Sequence, residues 1–177
     1  WVLRGEGRWG APAYTNVDFP FPVDPPFPPE ENPVGDYSRR FTCPESWLTS
    51  GGQVRLRFDG VESQIIVWVN GQWIGMARGS RLAHEFDITQ ALVPGENTVT
   101  LRVHQFSAGS YLEDQDQWWL PGVFRSVSLR YVPDFSIEDL WIDTDYEAGQ
   151  GFATLELRVR GAQSETLEAN LDVEGLG

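Results

Sequence analysis

The run Ile65-Ile66-Val67-Trp68-Val69-Asn70-Gly71-Gln72-Trp73-Ile74 decides how this chain folds. Apolar runs flank Asn70-Gly71, and β-branched and aromatic side chains suit a pleated, half-buried surface. A two-residue type I′ turn needs positive φ at both central positions, and Asn-Gly tolerates this best. The stretch therefore predicts a β-hairpin turning at Asn70-Gly71.

Outward from this hairpin the period stays at two. Tyr37–Thr42, Val54–Phe58, Thr98–His104 and Val123–Tyr131 read as strands. Pro94-Gly95-Glu96-Asn97 marks a turn before one of them. No long helical period interrupts the pattern. Short strands with turns at this spacing predict an all-β fold, an antiparallel sandwich or jelly roll. Val132-Pro133-Asp134 ends it, giving a first domain over 1–132. Beyond, Ile137–Ile142, Ala153–Val159 and Leu167–Val173 alternate again. Three strands are too few for an immunoglobulin-like sandwich of about seven. Residues 133–177 therefore read as a truncated second β domain.

Trp1–Pro33 is of another kind. Seven prolines fall between Asp18 and Pro33. Proline fixes φ and removes a donor, which rules out a helix or a central strand. Phe19, Phe21 and Phe27 favour an extended arm docked on a domain surface over a free linker, which has little use for large rings.

Composition narrows the function. The formal charge is −13, and all 13 basic residues are Arg. Nucleic acid and anionic membranes bind through cationic side chains, so both are poor partners. No apolar run is long enough to span a bilayer. Cys43 is the single cysteine, which leaves no internal disulfide and fits a cytoplasmic protein. The chain starts without Met and ends at Gly177 without a closing element, so both ends read as cut points. The two histidines, His84 and His104, sit in strand-like surroundings and read as structural. With one cysteine they make a zinc cluster improbable. No phosphate loop or nucleophile elbow is visible.

Two segments invite a chemical reading. In Tyr14-Thr15-Asn16-Val17-Asp18, Asn16 offers a donor and an acceptor that suit a vicinal diol. Taken alone it reads as a turn residue. In Gly109–Trp119, the carboxylates Glu113, Asp114 and Asp116 lie within four residues, followed by Trp118 and Trp119. Such carboxylates repel and need a cation, an Arg or strong donors if buried. Arg125 is a candidate partner. Carboxylates beside rings also suit a polyol, and a solvated acidic loop is the plainer alternative. A glycosidase pair is disfavoured, because its two carboxyls must flank the scissile bond and these come from one short segment.

In order along the chain, Tyr14-Thr-Asn-Val, Asn32-Pro, Phe58-Asp-Gly-Val-Glu-Ser, Trp68-Val-Asn-Gly, Ser80-Arg, Glu85-Phe-Asp-Ile, Pro94-Gly-Glu-Asn, Ser110-Tyr-Leu-Glu-Asp-Gln-Asp and Gly122-Val-Phe-Arg resemble the first domains of family 2 β-galactosidases. The likeness runs from about Trp1 to Pro133. The Asn-Gly hairpin and Phe-Asp-Gly-Val fit any family 2 sandwich, including that of β-glucuronidases and β-mannosidases. Tyr-Thr-Asn-Val together with Glu-Asp-Gln-Asp is more specific.

The resemblance implies a sugar-binding, galactose-binding-like jelly-roll domain. An immunoglobulin-like domain follows, then a (β/α)₈ barrel with a Glu acid/base and a Glu nucleophile in a retaining mechanism. It implies substrate contacts from Asn16, Val17 and Asp116, with Asp114 a weaker candidate, and a sodium ion ligated in part by Asp116. The other sodium ligands and a magnesium site fall to the barrel. The expected parent is a cytoplasmic homo-oligomer that removes β-D-galactose from galactosides such as lactose, in lactose catabolism, while the chain alone is inactive. Gln117 and Trp119 depart from many members, and Trp119 is expected to alter the pocket wall. A stand-alone carbohydrate-binding module and a purely structural domain are the competing readings.

Overall fold

The computed structural model describes residues 13–15, 18–147 and 149–161. The chain divides between Val132 and Pro133 into two compact units. In the first, the strands are β1 (Ala13–Thr15), β2 (Val34–Thr42), β3 (Gln53–Phe58), β4 (Val61–Glu62), β5 (Gln64–Val69) and β6 (Gln72–Arg78). They continue with β7 (His84–Asp87), β8 (Glu96–His104), β9 (Gln117–Trp119), β10 (Gly122–Val123) and β11 (Val127–Val132). Two short helices, α1 (Glu45–Thr49) and α2 (Ser110–Glu113), lie between strands.

A four-stranded antiparallel sheet runs β2-β8-β5-β6, and a three-stranded one runs β11-β3-β7. Alternation explains their packing. Val54, Leu56 and Phe58 of β3 turn inward to meet Ile65, Val67 and Val69 of β5 and Val99, Leu101 and Val103 of β8 in one buried cluster. The result is a sandwich with both inner faces aliphatic and aromatic.

The decisive hairpin forms as its sequence requires. Asn70 and Gly71 adopt φ of 51° and 80°. Asn70 also reaches sideways. Its amide donates to the Asn97 side chain and the Ala91 carbonyl, both at 2.8 Å, and its oxygen accepts from Thr98 N at 2.9 Å. Asn97, fully buried, hydrogen-bonds Val93 and Gly95 in turn. The two turns read from sequence are thus clipped together.

The expected strand Val123–Tyr131 is broken. β10 pairs with β4, β11 pairs with β3, and 124–126 lie between them. The cause is a close approach: Phe124 and Arg125 cross over Gly60, where a Cβ would lie 2.8 Å from the Phe124 ring.

The proline arm docks in part. Phe21 is buried against Phe106 and Trp119, with Phe19 and Tyr111 packed beside them. Asn32 exchanges two 2.9 Å hydrogen bonds with the Phe106 backbone. Phe27 stays exposed, its carbonyl accepting from the Tyr111 hydroxyl.

In the second unit, β12 (Ser136–Glu147) and β13 (Gln150–Arg160) form one antiparallel hairpin. The expected strand Leu167–Val173 lies outside the described residues.

Candidate functional site

The acidic segment and the start of the arm meet. β9 pairs antiparallel with β1, setting Tyr14 opposite Trp118. Their rings lie 5.7 Å apart and both stay about half exposed. The Tyr14 hydroxyl donates to the carboxylate of Asp116, an exposed residue one position before β9. That hydrogen bond, helped by slight desolvation and the negative charge of Asp116, raises the Tyr14 pKa and keeps the hydroxyl a donor. β1 ends at Thr15, immediately before Asn16. Asn16 and Val17 themselves lie outside the described residues.

Successive strand residues point to opposite faces. Trp118 therefore stands out while Trp119 turns inward, only 6% exposed, between Phe21 and Phe106. Trp119, expected to alter the pocket wall, packs inward and lines a small cavity with Asp114, Glu113 and Glu62. Trp118 is the ring presented beside Asp116.

Asp116 sits on a frame of polar contacts. Glu113, at the end of α2, accepts from Ser80 N at 3.0 Å and from the Ser80 hydroxyl. Arg81 donates to the Trp118 carbonyl at 3.2 Å. Glu62, 1% exposed, accepts from Leu120 N at 2.9 Å and pairs with Arg81 at 3.3 Å. Burial pushes the Glu62 pKa up, Glu113 pushes it further, and the Leu120 amide and Arg81 pull it back only in part. Asp114, Glu62, Arg81, Glu113 and Gln117 line a small cavity beneath the segment. Arg125 does not serve as the expected carboxylate partner. Its guanidinium donates to the carbonyls of Asp59 and Arg81 and lies over the Phe124 ring, because the crossing at Gly60 carries it there.

Sequence reasoning missed Tyr14, Glu62 and Arg81 as parts of this site. Each stood in a quoted motif, but none carried a local sign of its long-range partner. His84 is structural, its Nε2 donating to the Gly79 carbonyl at 2.9 Å.

The arrangement can receive hydroxyl protons on Asp116 and offer a ring face at Trp118. Its carboxylates come from one side, which does not suit the two-sided chemistry of glycoside hydrolysis. Among the described residues no group of three His, Cys, Asp or Glu is placed to hold a metal. Asp116 fits a hard cation as a single oxygen ligand.

Comparison with known proteins gives consistent results. The profile described as glycosyl hydrolases family 2, sugar binding domain, matches residues 1–133. The chain is 56% identical over 158 residues to a β-galactosidase of Arthrobacter sp. (strain B7), covering 89% of this chain and 16% of that protein. It is 46% identical to a β-galactosidase of Enterobacter cloacae, with coverage of 90% and 15%. It thus spans about a sixth of the length of such relatives. Among solved structures, an FMN-binding β-glucuronidase from Facaelibacterium prausnitzii L2-6 superposes with a TM-score of 0.62 at 26% identity, covering 72% of this chain and 21% of that one. A Bifidobacterium dentium β-glucuronidase complexed with coumarin-3-O-glucuronide gives 0.59 at 24% identity, covering 73% and 27%, and shows the shared fold alone.

Proposed function

The chain belongs to glycosyl hydrolase family 2 through its sugar-binding domain, and from that premise we propose that it shapes the galactose subsite of a β-galactosidase. The whole protein hydrolyses terminal non-reducing β-D-galactose from β-galactosides such as lactose. The observation that carries this is the exposed Asp116 carboxylate held by Tyr14 on the strand that leads directly into Asn16.

In this reading Asp116 accepts protons from sugar hydroxyls, Tyr14 orients it, and Trp118 packs on the apolar C–H face of the ring. Asn16 and Val17 are further contacts to the sugar, and Asp114 is a second, weaker one. Asp116 also gives one oxygen to a sodium ion, whose other ligands come from elsewhere in the protein. Magnesium belongs to the barrel. Bond cleavage needs two carboxyls about 5–5.5 Å apart on either side of the glycosidic bond for retention, and a separate barrel provides them. The protein is assigned to the cytoplasm, where the buried Cys43 stays a free thiol, and to a homo-oligomer. No helix of the described residues is long and apolar enough to cross a membrane.

Identity favours a galactoside over a glucuronide: it is 56% to the Arthrobacter β-galactosidase against 26% to the Facaelibacterium β-glucuronidase. The test is hydrolysis of chromogenic galactoside and glucuronide by the full-length protein, with Asp116→Asn beside it. Galactoside turnover that falls at least tenfold in the variant is expected. Preference for the glucuronide, or near-normal kinetics in the variant, overturns the reading. The 177-residue chain alone is expected to be inactive and to bind galactose negligibly by calorimetry. A tight site there instead favours an independent sugar-binding module.

A further inference from the structure

Glu62 poses a problem that burial alone does not solve. One carboxylate oxygen, Oε2, takes the Leu120 amide and Arg81. The other, Oε1, is buried and finds no hydrogen-bond partner among the described residues. An unsatisfied buried oxygen is costly, and a well-packed apolar side chain would serve stability better. The residue needs a use that repays this.

Its contacts supply one. Ser80 and Arg81 are consecutive, in the turn between β6 and β7. Ser80 holds Glu113, three residues before Asp116, and Arg81 holds the carbonyl of Trp118, two residues after it. Glu62 holds Arg81 from behind and the amide of Leu120 beyond. The segment that presents Asp116 is therefore fixed on both sides by groups that are themselves buried or half-buried. Among the described residues Asp116 has no comparable anchor of its own and takes the hydroxyl of exposed Tyr14.

We propose that Glu62 and Arg81 are positioning residues for galactose recognition: their ion pair fixes the backbone bracketing Asp116, so that its carboxylate meets the sugar without a search. This rests on the reading of Asp116 as a galactose contact. Neither residue touches the sugar. A carboxylate held within a few tenths of an ångström pays less ordering entropy on binding than one on a loose loop.

Two measurements test the proposal separately from that reading. In the 177-residue chain, Arg81→Ala should raise amide hydrogen exchange at Trp118–Leu120 at least tenfold, leaving Ile65–Val69 unchanged. Unaltered exchange at Trp118–Leu120 overturns the clamp whatever the enzyme does. In the full-length enzyme, Arg81→Ala should weaken competitive inhibition by galactose about tenfold. Arg81→Lys should recover part of it, because the pair with Glu62 survives. Asn97→Ala, which removes a buried clip elsewhere in the sandwich, is the control for general loosening and should leave the inhibition constant within twofold. A constant within twofold for Arg81→Ala, or an equal loss in Asn97→Ala, overturns the proposal. A wild-type enzyme that ignores galactosides, with the exchange result intact, overturns the functional reading and leaves the clamp standing.

Discussion

The interior of the sandwich and its rim are held by different forces. The interior is a set of alternating apolar residues from β3, β5 and β8, each placed by its own strand. The rim around Asp116 contains few such residues. It is tied by a carboxylate, a guanidinium and a serine reaching across 33 to 58 positions of chain. Apolar burial is non-directional and tolerates small shifts. Hydrogen bonds and ion pairs fix direction and distance but add little net stability. The molecule spends hydrophobic area on standing up and polar contacts on aiming.

Substitutions can break this contrast at either end. The largest effect belongs to the interior. Phe58 is fully buried and meets Phe86 edge-on at 5.9 Å. Phe58→Ala should cost about 3–5 kcal/mol, read from urea unfolding of the chain. A loss comparable to a surface substitution would show that the sheets are not packed as one core.

Next comes the clip between the two turns. Asn97→Ala removes a buried amide that bonds Asn70, Val93 and Gly95. Its cost should be about 2 kcal/mol in the same assay, because backbone groups are left without partners.

A smaller effect appears in the response to pH, with opposite signs in two carboxylates. Partial burial pushes the Glu85 carboxyl up, but hydrogen bonds from Arg57, Arg130 and Arg55 outweigh it and hold it below its ordinary value. A depressed folded pKa gives stability above the unfolded value of about 4.3, lost as pH falls through the folded one. Glu62 is raised, so its contribution is complete below about 4.3 and is lost as pH rises through its folded value. Melting curves should therefore show Glu62→Gln gaining on the wild type as pH rises above about 4. The deficit of Glu85→Gln should shrink as pH falls below about 4. Parallel pH profiles for the two variants would remove the distinction between a paired surface carboxylate and a buried aiming one.

The smallest effect on folding sits at the tip of the rim. Asp116 is exposed, so Asp116→Asn should change stability by less than about 0.5 kcal/mol. A larger loss in unfolding experiments would make it a structural residue and merge the two regions.

The same contrast sets what can be read from the letters. Strands such as Val54–Phe58 and Ile65–Val69 announce themselves because period two is local. So does the Asn70-Gly71 turn. The hydrogen bond from Tyr14 to Asp116 joins residues 102 positions apart, beside the β1–β9 pairing, and no local pattern carries it. The break after Val123 was hidden for a related reason. Val123–Tyr131 alternates acceptably as one strand, and only Gly60 makes room for Phe124 to cross. Glu62 is the hardest case, since a carboxylate next to apolar Val61 looks like any surface residue until Arg81 arrives. The inward turn of Trp119 is legible, since period two alone puts it on the opposite face from Trp118.

The pairing of β1 with β9 also has a consequence in time. Two short strands that bridge so long a stretch of chain pay the closure entropy of that loop for very few bonds. The nearby hairpin of β5 and β6, with a two-residue connection, pays almost none. The sheets must therefore be in place before the edge carrying Tyr14 and Asp116 can close on itself.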